Sequence, residues 1–295
     1  MRTEKKTFKS QPQFWNPSAD QPEKVKRFRV PWSALTFFLA WLLLAGFWEL
    51  GTTVGFLNRN ILPPPSVVLP YLIQGPGSAG IGPQQVSYGE AILKTLFRVI
   101  TGLSLGLFAA IPLGVLLALV NPLRQFVMPM IQTIAPIAPV AWIPLAISLL
   151  GIGDQSAIFV VFMGVFAVMT LATAAAIEGV PPELIKTARS LGAKDYRLWL
   201  WIILPAISPS LLTIVRVNFF AAWMAVLAGE MAGINSGLGA LIILGQQQFN
   251  MRLVMTGVIT IGILGFVIDR LILLVQRQLL WWEPHTKKVM EGHRG

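Results

Sequence analysis

Six stretches of this chain stay apolar for the length a helix needs to cross a hydrocarbon layer, about 20 residues. They are Trp32–Leu50, Ile92–Val120, Phe126–Gly153, Ser156–Ile177, Leu204–Gly229 and Leu253–Val275. A hydrocarbon interior offers no water to backbone N–H and C=O groups, so each stretch is restricted to helix. The pattern predicts an all-α, polytopic membrane protein with about six transmembrane helices. Composition agrees, since 55% of the 295 residues are hydrophobic and 12% are charged, a balance too apolar for a soluble globule. The chain divides into a basic leader over 1–31, expected to be partly disordered, a transmembrane domain over 32–280 and a tail over 281–295.

The net charge of +10 would suggest nucleic acid in a soluble chain. Here Lys and Arg cluster in the leader, the tail and the loops between apolar runs, the signature of orientation by positive charge, so no nucleic-acid partner is expected. With six spans, Arg124, Lys186, Arg189, Lys194, Arg197 and Arg277 share the cytosolic side with both termini, and little beyond Arg59, Lys94 and Arg252 lies outside. The expected location is the inner (plasma) membrane, with no cleavable signal peptide. Met231–Met251 is also uncharged, but a seventh span would export the basic tail. Its Gly, Asn and Gln content suits a re-entrant segment instead. Residues 51–90 read as an outer loop with a short surface helix after Pro65. The third run carries Pro129, Pro136, Pro139 and Pro144, a density tolerated where neighbouring helices or water re-satisfy the backbone, which places it on a pathway side.

One long polar segment interrupts the spans, Gly179–Pro209. Pro181 and Pro182 suit a first helical turn, and Glu183 complements the positive end of the helix dipole. Leu184, Ala188 and Leu191 make an apolar stripe, Lys186 and Arg189 lie off it, and Gly192 supplies a left-handed terminus. The expected helix, 182–192, lies across the inner membrane face. It fits both a helix resting on anionic lipid and a helix docked in a groove of a cytosolic partner.

The run ARSLGA, from Ala188 to Ala193, followed after the glycine by IILP, from Ile202 to Pro205, resembles the EAA loop of the membrane subunits of binding-protein-dependent ABC importers. Further similarity in ILPPPSVV, LFRVITGL, APVAWIPL and IVRVNFFAAWMAVLAGEM points to the branch that imports nitrate, bicarbonate, taurine and aliphatic sulfonates. The resemblance implies that the loop 179–204 couples to a separate ATPase through Glu183, Lys186, Ala188, Arg189, Gly192, Ala193 and Pro205. Lys186 and Thr187 depart from the family's Glu-Ala. It implies ATPase subunits, an extracytoplasmic binding protein and a second copy of the chain as partners, besides membrane lipid. The cargo would be a small oxyanion, nitrate first and bicarbonate, taurine or another sulfonate next, moved by alternating access.

The chain has no phosphate-binding G-x-x-x-x-G-K-[ST] run, so ATP and Mg would sit on the partner, and no cofactor is expected here. Arg98 and Arg216 interrupt apolar runs and are candidates for the substrate pathway. Trp142, Trp223 and Met224 fall on runs assigned to the pathway, and Glu230, at an outer span end, suits a gate or a contact to the binding protein. Catalytic and metal-binding residues are not expected, because His285 and His293 lie in the tail and no carboxylates pair within a span. The alternatives are a secondary anion transporter without an ATPase and a membrane scaffold subunit.

Overall fold

A computed structural model describes residues 32–75, 78–79 and 86–280. The leader and the tail with its two histidines, as read from sequence, lie outside the described residues. Helix α1 (Trp32–Thr53) begins in an uncharged run up to Phe47 that belongs to a unit of its own, in which Phe37 sits edge-on to Phe38 and to Trp41. The second unit starts at Trp48. In it Glu49, at the end of α1, accepts hydrogen bonds from the Ser66 N–H (3.1 Å) and Oγ (2.8 Å), holding the first turn of α2 (Pro65–Gln74). That helix starts in the proline run as anticipated. The one strand pairing among the described residues is a two-residue antiparallel pairing of β1 (Ser78–Ala79) with β2 (Val86–Ser87).

The body consists of α3 (Tyr88–Leu119), α6 (Asp154–Glu178), α9 (Leu204–Met231) and α11 (Met251–Leu279), all long and apolar enough to cross a membrane. With α1 they make five such helices among the described residues, or six counting one bent pair. That pair is the proline-broken third run. Helix α4 starts at Asn121, where a short turn was expected, and runs to Ile134; a 3-10 turn over Pro139–Trp142 and α5 (Ile143–Leu150) follow at an angle of 95°. Pro136 and Pro139 bracket the break, because each removes a backbone donor and disfavours helix in the residue before it. Met231–Met251 does not cross either: it holds only α10 (Leu238–Gln247), 10 residues packed on α9 and α11.

Helices α3 and α6 form the most extensive contact in the bundle, and small residues at every fourth position make it possible. Gly102, Gly106, Ala110 and Gly114 line the α3 side, buried. A Cβ on Gly102 would lie 2.6 Å from the Val161 Cβ, and one on Gly114 2.6 Å from the Thr173 Cβ and 2.8 Å from the Thr170 carbonyl oxygen. No side chain fits at that separation, so the backbones themselves set the distance. Apolar side chains of α6 and α9 (Val160, Val165, Met169, Phe219, Ala222, Val226) then close the core.

Candidate functional site

Helix α7 (Pro182–Ser190) lies between α6 and α9, at the end of the bundle away from α10. Pro182 starts it, Glu183 lies in the first turn and Arg189 in the last, each complementing the helix dipole. Leu191 caps it, and Gly192 follows with φ +81°, a conformation that costs a residue with a Cβ about 1–2 kcal/mol. The Ala193 N–H then bonds the Ala188 carbonyl and the Gly192 N–H the Arg189 carbonyl, both at 3.0 Å. This is a Schellman termination, and it accounts for the spacing of ARSLGA: a small buried residue, the left-handed glycine three residues past its successor, and a second small residue against the first. Ala188 is buried and Ala193 half-buried against the core.

The apolar stripe differs from the sequence reading. Ile185 and Ala188 face the core, whereas Leu184 and Leu191 are exposed; α7 packs on α8 (Asp195–Leu198) and the turn after it. Glu183, Lys186 and Arg189 are exposed, and none forms an ion pair among the described residues. Lys186 therefore does not substitute an internal salt bridge for the missing glutamate. Beyond α8 a π-helical turn, Trp199–Ile203, runs straight into α9, so that Tyr196–Met231 is one apolar helical run of 36 residues. Such a rod is about 54 Å long against a hydrocarbon layer of about 30 Å, so its first turns project out of the layer. Pro205, at the α9 start, is half-buried.

Two arginines sit within the spans in unlike surroundings. Arg98, on α3, is wholly buried. Its Nε and Nη2 donate to Asp154 Oδ1 (2.8 and 2.6 Å), its Nη1 to Glu230 Oε1 and the Ser236 carbonyl (both 2.7 Å), and its Nη2 also to Ser236 Oγ (2.5 Å). A guanidinium has five N–H donors, and all are engaged. Glu230 further accepts from Thr95 Oγ1 (2.8 Å) and from the Gly239 N–H (2.9 Å), while Thr95 Oγ1 accepts from the Leu238 N–H (2.9 Å). The first N–H groups of α10 are thereby satisfied without a cap of its own. A Cβ on Gly237, where φ is +103°, would fall on the Glu230 carboxylate.

Arg216, on α9, is different. Its Nε and Nη2 donate to the two oxygens of Asp269 on α11, at 2.5 and 2.8 Å, and its side chain remains 36% exposed against 8% for Asp269. Asp269 pairs across helices, not with its neighbour Arg270, whose guanidinium lies 4.7 Å over the Phe266 ring. One turn along, Gln276 Nε2 donates to Thr213 Oγ1 (3.3 Å), extending the polar seam. Thr213, Val217, Phe220, Met224 and Met231 form an exposed stripe along α9, next in sequence to the half-buried Arg216.

Several candidates therefore move. Glu230 is 2% exposed, so the expected contact to a binding protein is corrected: a carboxylate holding Arg98 and the α10 start is unavailable to a partner. Arg98 is likewise withdrawn from any open pathway. Trp223 is buried, packed beside Gly265, and serves the core; Trp142 is half-buried in the 3-10 turn; Met224 and Arg216 retain exposure on the same helix. Thr95, Asp154, Ser236 and Asp269 were missed. Asp269 carried a signal in the sequence, a lone carboxylate inside an apolar run, whereas Ser236 carried none.

A bundle of long apolar helices with one polar helix, closed by a Schellman turn and standing at the foot of a rod-like span, describes a polytopic membrane subunit. Residues 110–280 match the family described as binding-protein-dependent transport system inner membrane component, and the chain belongs to that family. It is a multi-pass inner-membrane permease subunit of a binding-protein-dependent ABC importer. A putative ABC transporter permease of Methanocaldococcus jannaschii is 35% identical, over 81% of this chain and 89% of that one. The taurine transport system permease TauC of Escherichia coli is 27% identical, over 83% and 88%, and lies in the branch the sequence resembles. Among solved structures, the inward-facing MetNI methionine ABC transporter shares the fold, with a TM-score of 0.56 at 22% identity, over 64% of this chain and 94% of that one.

Proposed function

We propose that two copies of this chain form the pathway of an ATP-driven importer that carries a small oxyanion of the nitrate, bicarbonate and sulfonate class by alternating access. A separate ATPase binds ATP and Mg, a soluble binding protein delivers the anion, and both termini lie in the cytosol. Taurine, carried by the system of the TauC relative, is a sulfonate and supports this class.

The observation that carries the reading is the join between α7 and α9. Ile185 and Ala188 anchor α7 inward, the Schellman turn fixes its end, and its polar face with Lys186 and Arg189 stays outward for a docking cleft. Because α7 packs on α8 and the π turn that continue into α9, a displacement of α7 is passed to the longest helical run among the described residues. π turns interrupt the regular hydrogen-bond ladder and commonly mark functional positions in helices.

The test is reconstitution of the permease with its ATPase and binding protein in liposomes. Gly192→Val forces a β-branched residue into a left-handed conformation and disrupts the end of α7. Uptake is expected to fall about tenfold or more while ATP hydrolysis persists. Unchanged uptake per ATP hydrolysed overturns the coupling role.

A further inference from the structure

We infer that Arg216 and Asp269 form an anion-binding site within the membrane, in which Asp269 holds one edge of the guanidinium and the other edge is free to take a single oxyanion group. The inference rests on the importer reading above and locates its cargo.

The geometry is specific. Asp269 engages Nε and Nη2 in the side-on, two-point arrangement, and Nη1 donates to no atom among the described residues. Of five N–H donors, two are used; the two hydrogens on Nη1 and the outward one on Nη2 remain. One hydrogen of Nη1 and the outward one of Nη2 form the end-on edge of the fork, whose spacing matches two oxygens of a carboxylate, sulfonate or nitrate. That edge belongs to a side chain 36% exposed at the margin of the α9 stripe, between Thr213 and Val217 in register. An ionisable pair inside a span has no solvent to satisfy a spare donor edge, so a polar occupant is favoured there.

Asp269 gives the site a second property. Alone, a guanidinium in a low-dielectric layer would hold an anion strongly. With Asp269 already neutralising it, the fork still orients the oxyanion, but the net attraction is small and the anion can leave. Transport requires binding favourable enough to enter and weak enough to release. Asp269 thus acts as a positioning residue, through Arg216.

The experiment labels arginines in the purified permease–ATPase complex with phenylglyoxal and reads each arginine by peptide mass spectrometry. Taurine, nitrate or bicarbonate is added at ionic strength held constant with sodium chloride, and exposed Arg59, in the loop after α1, serves as the internal reference. Labelling of Arg216 is expected to fall at least about threefold with one of these anions beyond the effect of chloride, while Arg59 is unchanged, because the anion covers the edge the reagent attacks. In Asp269→Asn, which keeps the shape and removes the charge, the half-protecting concentration is expected to fall about tenfold, the size of one charge-assisted hydrogen bond. A purely structural Asp269 would alter yield without moving that concentration. Should the wild-type complex import one of the anions while Arg216 labels equally with and without each of them, the site is wrong and the importer reading stands. Should the wild-type complex, supplied with its binding protein and ATP, import none of them, the anion reading itself fails and the site with it.

Discussion

Arg98 and Arg216 look alike in sequence, each a lone arginine in an apolar run, yet the structure gives them opposite environments. Arg98 sits at the end of the bundle away from α7, wholly buried, with hydrogen bonds to Asp154, Glu230 and Ser236 that use every donor. Arg216 lies near the middle of α9, half-exposed, with a single carboxylate on one edge. The first arginine joins α3, α6, α9 and the approach to α10 into one block; the second joins two helices and keeps donors to spare. A saturated guanidinium can only hold, whereas an unsaturated one can hold and receive.

The comparison is broken most directly at Glu230. Glu230→Ala leaves the buried Arg98 with Asp154 as its single carboxylate and the Gly239 N–H at the α10 start without its acceptor, a loss of about 3–5 kcal/mol. Thermal unfolding in detergent is expected to show it as a collapse in stability and yield; stability near wild type would mean that the cluster is not a clamp. Gly237→Ala attacks the same block through sterics and a strained φ, and is expected to cost about 1–3 kcal/mol by the same assay. At the other arginine, Arg216→Ala removes a half-exposed partner and is expected to cost less, about 1 kcal/mol, with a correctly assembled complex on gel filtration and impaired uptake. A loss as large as that of Glu230→Ala would erase the distinction. Asp154→Asn sharpens it further, since this carboxylate is half-exposed, and its loss should weaken the Arg98 block by about 1 kcal/mol. The smallest effect belongs to Arg124→Ala, whose pair with Glu178 (2.7 Å) is exposed on both sides and should contribute under about 0.5 kcal/mol.

Helix α7 was largely readable before the fold was known. Pro182, Glu183 and Gly192 predicted its two ends through the donor proline lacks, the sign of the dipole and the left-handed conformation glycine tolerates, and all three reasons are local. Its inward face was not readable, because Leu184, Ile185 and Leu191 are apolar and alike in size, and only the packing of α7 on α8 and the turn after it decides that Ile185 and Ala188 go inward. The bent third run shows the same division. Its prolines announced an interruption, but the 95° angle depends on what α4 and α5 each pack against. The small residues Gly102, Gly106, Ala110 and Gly114, four apart on α3, were a legible sign of close helix packing that the apolar count obscured.

By itself the sequence determined the class of molecule: apolar runs of bilayer length leave the backbone no option but helix, and ARSLGA with IILP carries the resemblance of the polar helix to a coupling loop. Both follow from interactions within a few residues of one another. Which carboxylate meets which arginine was decided only by tertiary structure, since Arg98 and Glu230 are 132 positions apart and Arg216 and Asp269 53. The separation between a clamp and a receptive site therefore lies in how many donors each guanidinium has left once the helices have packed, and no local pattern records that number.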